Sequence, residues 1–167
     1  MTEPDAEADL WRFALKVYGA DGVSADCLTL QERYGVDVPV VLCGLWMATR
    51  GIALDAPGMA RIAGAVEPWH KEVVIALRTV RQRLKNGPPP APDARTDAVR
   101  EAVKAAELNA ERIELAVLAA LVADGFTPGA PVSAAQNLKA ALEHYAGGPV
   151  GKDAPLQRLI SATELAL

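Results

Sequence analysis

Chemistry in this chain would have to come from few groups. Only two histidines occur in 167 residues. His70 follows Glu67 at the Glu-x-x-His spacing that presents two ligands on one helix face in di-iron carboxylate bundles. Such a centre needs a second copy of the motif and two further carboxylates. His144 supplies none of this, because Ala141 stands three residues before it, and Pro68 disturbs the helix inside the first copy. No metal is expected, and His70 reads as a surface or partly buried side chain. Cys27 and Cys43 lack metal-ligand or redox-pair spacing and fall in apolar helical patterns, so they read as buried reduced thiols. No Gly-rich phosphate loop is present and neither cysteine has a sequence cue for a base, so no cofactor is expected and the balance leans away from an enzyme.

The basic row Arg78, Arg81 and Lys85, with Lys71 a turn or two earlier, is the best candidate for binding an anionic ligand or an acidic partner, since guanidinium forks match carboxylate and phosphate. Against this stands an acidic row, Glu107, Glu111 and Glu114, on a second helical stretch. Ion pairs across a hairpin would use part of the basic row, and exposed pairs of ~0.2–1 kcal/mol each would set register more than stability. Trp11, Trp46 and Trp69 read as core anchors, Trp46 above all.

These side chains must be positioned by helices. The composition is 51% hydrophobic and only 5% aromatic, which suits close helix packing better than a β-sandwich. The formal net charge of −4 gives no global attraction for nucleic acid or anionic lipid. The acidic opening lacks a secretory pattern, and Val38 to Ala48 falls short of the ~20 apolar residues that span a bilayer, so cytoplasmic residence is expected.

Asp37 to Gly51 is the most apolar run and predicts a central helix buried on several sides. Before it, Leu10, Trp11, Ala14, Leu15 and Tyr18 share a face over Ala6 to Tyr18, and Ser24 predicts an N-cap with Val23 and Leu28 as a hydrophobic staple. Val36, Asp37 and Val41 repeat that device, as do Leu54, Asp55 and Met59. Gly35 and Gly51 are natural helix stops. Pro68 predicts a break, with a new helix from Trp69 carrying Val73, Leu77, Val80 and Leu84 on one stripe. Residues 86–93 form a Pro-rich polyproline connector. Asp93 or Thr96 then caps the longest helix, whose stripe Val99, Val103, Ala106, Ala110, Ile113, Val117 and Ala120 predicts the seam of an antiparallel hairpin, with small residues letting the backbones approach closely. Ser133 to Gln136 makes a capping box, and Asp153 caps a last amphipathic helix. The expected fold is all-α: a single-domain bundle, residues 1–167, of about six or seven helices.

Trp11, Phe13, Tyr18, Gly22-Val23, Cys27-Leu28, Leu30-Gln31, Tyr34-Gly35-x-Asp37-Val38, Leu42 and Trp46 resemble the N-terminal signature of an uncharacterised family of short, mainly proteobacterial proteins. Trp69, Leu77-Arg78, Arg81, Leu84-Lys85, Glu107-Leu108 and Glu111 resemble its second block. The likeness runs from about Leu10 to Leu121, with the tail after Gly125 expected to vary. The family carries a domain-of-unknown-function label, so the resemblance implies a bacterial cytosolic origin and no activity, cofactor or substrate. It adds Gln31, Tyr34, Asp37 and Glu111 to Arg78 and Arg81 as polar residues to test.

The functional expectation is a non-enzymatic interaction protein or accessory subunit that meets a protein partner or a second copy, with the apolar C-terminal helix ending at Leu167 one docking element. The alternative is a binding protein or enzyme with a pocket between helices, where Arg78 and Arg81 hold an anionic small molecule. Nucleic acid is a distant third and a membrane is not expected.

Overall fold

The computed structural model describes residues 3–151 and 154–166. Among them the chain is all-helical: α1 (Glu3–Tyr18), α2 (Val23–Tyr34), α3 (Val38–Thr49), α4 (Ala56–Trp69), a π-helical turn (His70–Val74), α5 (Ile75–Arg83), α6 (Ala94–Gly125), α7 (Ala134–Ala146) and α8 (Ala154–Leu165). Because α4, the π turn and α5 follow without a gap, they form one rod, and the described residues make seven rods. By their contacts the residues divide into a first unit, Met1–Ala65 with Leu115–Leu167, and a second, Val66–Glu114.

The first unit is built around α3. Every residue from Pro39 to Ala48 is buried, and α7, α1 and α8 pack on it, as its apolar character all round requires. Trp46, 2% exposed, donates from Nε1 to Asp9 Oδ2 at 2.9 Å, and the Arg50 guanidinium lies 4.8 Å from the Trp46 ring centre. Asn137 of α7 is wholly buried and spans three backbone groups. Its Oδ1 accepts from Leu54 N at 3.0 Å, while Nδ2 donates to Gly44 O and Ile52 O at 2.9 and 2.8 Å.

The helix punctuation follows local chemistry. Gly35, Gly51 and Gly147 take positive φ at helix ends, where glycine adopts the left-handed region without a Cβ clash. Asp55 Oδ1 accepts from Gly58 N at 2.8 Å and Ser133 Oγ from Gln136 N at 3.2 Å, each satisfying a first-turn donor. Asp37 is the N-cap residue of α3 by its backbone, without a side-chain cap bond, and Val36 and Val41 are both buried. Asp93 rather than Thr96 caps α6, its Oδ1 accepting from Thr96 N at 2.7 Å. The expected cap at Asp153 and the terminal Leu167 lie outside the described residues.

Several expectations are corrected. Ser24 is not a cap: α2 begins at Val23, two residues before a cap at Ser24 would start it, after Gly22 at φ 78°, and the staple fails because Leu28 is 54% exposed. On α1 the buried face is Ala6, Leu10, Phe13, Ala14 and Val17, while Leu15 and Tyr18 are exposed and Trp11 is half-buried; the face is rotated by about one residue from the expected one. Pro68 does not break the rod, since α4 runs through it. A wide π turn follows it, where Ile75 N donates to His70 O. The Pro-rich connector is not an extended polyproline rod, because Ala91 N donates back to Pro88 O at 2.8 Å and closes a turn.

Candidate site in the helical hairpin

The second unit is an antiparallel hairpin made by the end of α4, the π turn and α5 on one side and α6 up to Glu114 on the other. Its interior is polar. Arg78 Nε donates to Glu107 Oε1 at 2.9 Å and Nη2 to Glu111 Oε1 at 3.2 Å. Arg81 grips the same Glu107 with Nε on Oε2 and with Nη2 on Oε1 at 3.3 Å. One carboxylate thus holds two guanidinium groups, Arg81 by its fork and Arg78 by Nε, while Arg78 spans to Glu111 with Nη2. The side chains of Arg78, Arg81 and Glu107 are only 14%, 21% and 8% exposed, so the cluster lies nearer the buried than the surface regime. Burial by itself would push the Glu107 carboxyl up, but hydrogen bonds and charge from Arg81 and Arg78 outweigh it and hold the group below its ordinary value.

Toward the open end of the hairpin, Trp69 Nε1 donates to Ala110 O at 2.9 Å. His70 Nδ1 then lies 3.4 Å from Glu114 Oε1, with His70 8% exposed and Glu114 fully buried. An imidazole and a carboxylate at this distance can share a proton. Glu67 does not join His70 as the Glu-x-x-His spacing would require. It is paired with Lys71 on the solvent side, where both side chains are more than half exposed. The pairing of His70 with Glu114 was legible in principle: once Arg78 is set opposite Glu107, antiparallel counting brings residue 70 opposite 114 or 115.

The seam is not where the apolar periodicity predicts it. Val99, Ala106 and Ile113 are exposed, at 55% for Val99 and 49% for Ile113; Ala110 of the expected stripe is buried, and Glu107, Glu111 and Glu114 face inward beside it. At 100° per residue this is a rotation of roughly 80° about α6. On the other rod Trp69 and Val80 are 37% and 47% exposed, so Trp69 is not a core anchor, and no residue of α5 is fully buried.

Of the residues singled out in the sequence, Arg78, Arg81 and Glu111 come together here, and Lys85 lies exposed beyond the end of α5. Gln31 and Tyr34 belong to α2 in the first unit, where Gln31 O accepts the Gly35 cap N–H and Arg33 lies 5.9 Å from the Tyr34 ring centre. The clefts of about 430 Å³, beside Arg50 and Ser133, and 490 Å³, between α7 and α8, are also lined by first-unit residues.

A family model described as a protein of unknown function (DUF2390) matches residues 9–118. The chain belongs to that family. The match takes in α1 from Asp9, α2 to α5 and most of α6, so the hairpin with its Arg–Glu cluster lies within the family's domain. No curated protein and no solved structure matches the chain. No helix among the described residues is long and apolar enough to cross a membrane.

Proposed function

We propose that this protein is a non-enzymatic interaction module or accessory subunit, and that its contact surface is the outward apolar face of the hairpin. The observation that carries the reading is the exposure of Val80, Val99 and Ile113, all more than 40%, on a hairpin whose inner positions are given to charges. Val99 and Ile113 share one side of α6, and a contiguous exposed apolar surface marks an interaction site. The rival expectation of an anionic small molecule on Arg78 and Arg81 has less support, since both forks already engage carboxylates. Free, buried thiols at Cys27 and Cys43 support the bacterial cytosol as the setting.

The test is site-specific photocrosslinking in the cell. A benzoylphenylalanine at Val99 should give discrete protein adducts, and one at Lys104, on another side of α6, should not. Equal labelling at both positions, or none at either, counts against the hairpin face as a docking surface.

A further inference from the structure

We propose that His70 and Glu114 are two ligands of a zinc-class metal ion held at the open end of the hairpin. The inference goes beyond the docking reading and does not depend on it. His70 Nδ1 and Glu114 Oε1 are 3.4 Å apart. A charge-assisted hydrogen bond would draw them to ~2.7–2.9 Å. Two donors bound at ~2.0–2.1 Å to one ion stand about 3.4 Å apart when the angle at the ion is tetrahedral, and about 2.9 Å apart when it is octahedral. The observed separation is that of neighbouring ligands on tetrahedral zinc and too wide for magnesium. The imidazole speaks against calcium, which takes oxygen ligands, whereas histidine nitrogen with carboxylate oxygen is a donor set that zinc accepts.

Burial and backbone point the same way. Glu114 is fully buried and His70 nearly so, and a carboxylate taken out of water is costly unless it is paired or bound to a metal. His70 is the first residue of the π turn, a widened turn that recurs at functional sites. The bond from Trp69 Nε1 to Ala110 O, 2.9 Å long, ties the residue before one donor to the helical turn before the other. Both donors thus sit on packed helical segments, which hold a ligand geometry better than loops do. The expectation of no metal rested on the Glu-x-x-His spacing, and that motif is indeed unused: Glu67 turns to Lys71, and the carboxylate beside His70 comes from the facing rod. The hairpin supplies two of the four positions of a tetrahedral ion, and the ion joins its rods as the Arg–Glu cluster does further along.

Zinc titration of the chelator-treated full chain, followed by calorimetry and by thermal melting, tests this. Zinc should bind saturably and raise the melting midpoint, because an ion held by the folded state alone stabilises it by mass action. Cobalt(II) in its place should give the strong visible absorption of a tetrahedral site. His70→Gln and Glu114→Gln should each weaken zinc binding by more than the ~10–100-fold that loss of an outer-shell partner costs, with circular dichroism showing that each variant is folded. His144→Ala, which removes the other histidine, exposed on α7, should bind zinc as the wild type does. A wild type without saturable zinc binding, the weak spectrum of octahedral cobalt, or binding that His144→Ala abolishes and Glu114→Gln spares overturns the site. The wild-type titration and spectrum decide the matter even if Glu114→Gln fails to fold.

Discussion

Glu107 is the residue on which the hairpin's register depends, and replacing it with Gln tests that directly. The change keeps shape and removes charge, leaving two guanidinium groups opposite an amide that can satisfy only part of their donors. Breaking a fully buried ion pair costs about 3–5 kcal/mol, and an exposed one ~1 kcal/mol or less. Arg78 and Arg81 at 14% and 21% exposure fall between, nearer the first, so about 2–3 kcal/mol is expected. For a chain of this length each kcal/mol moves the melting midpoint by roughly 2–4 °C, which gives a drop of about 5–10 °C by circular dichroism at pH 7. The pH dependence follows from the lowered carboxyl pKa. A group whose folded pKa lies below its unfolded value contributes stability that is complete above the unfolded value, ~4.3 for Glu, and is lost as the pH falls through the folded value. The gap between wild type and Glu107→Gln should therefore be constant from neutral pH down to about pH 5 and shrink below it. A gap under about 1 °C at pH 7, or one that widens in acid, would show that the cluster is a surface ornament.

Three further outcomes are expected. Asn137→Ala strands the Leu54 N–H and the carbonyls of Gly44 and Ile52; at ~1–3 kcal/mol per buried unsatisfied group, a loss of about 3–5 kcal/mol should appear in urea unfolding, and a loss below ~1 kcal/mol speaks against the three-way bridge. Burial, reinforced at Cys27 by Asp26, pushes the thiols of Cys27 and Cys43 up to about 12, so Ellman's reagent should find no reactive thiol in the native protein at pH 8 and both in denaturant; fast native labelling contradicts this. Gly51→Ala should destabilise, because φ is +69° and a Cβ there would lie 2.6 Å from Gly129 O; with ~1–2 kcal/mol for the left-handed backbone alone, an unchanged melting midpoint would show that the loop moves aside.

What could be read from the chain was what residues settle with near neighbours. Asp55, Ser133, Gly35 and Gly51 act within three or four positions, and their caps and stops stand where local chemistry puts them. α3 was legible because a helix apolar on every side can only be buried. The faces of the amphipathic helices were harder. On α1 and α6 two overlapping stripes compete, and only the neighbour decides between them. On α6 the weaker-looking choice prevails because Arg78 and Arg81 reach Glu107 and Glu111 from the facing rod, and no periodicity within α6 encodes that. Pro68 is ambiguous for a similar reason: a proline specifies a lost hydrogen bond, while whether the helix ends or continues belongs to the surrounding packing. Within the cluster, the residue types were visible and the register was not, until one pair fixed it.

The hairpin sets long charged side chains between the rods and leaves Val80, Val99 and Ile113 exposed, while Val74 and Ala110 are buried. Paired carboxylates and guanidiniums contribute less net stability than a well-packed apolar seam of the same size, so stability alone does not account for the arrangement. Charges bear on register, because sliding one rod by a turn separates Glu107 from Arg81. A hairpin whose register is held from within by charge can leave its apolar stripe available outward without folding onto it. If the interaction reading holds, the Arg–Glu cluster is the means by which the chain keeps its docking face open, and Glu107→Gln should then weaken partner binding as well as stability, although Glu107 itself would never touch the partner.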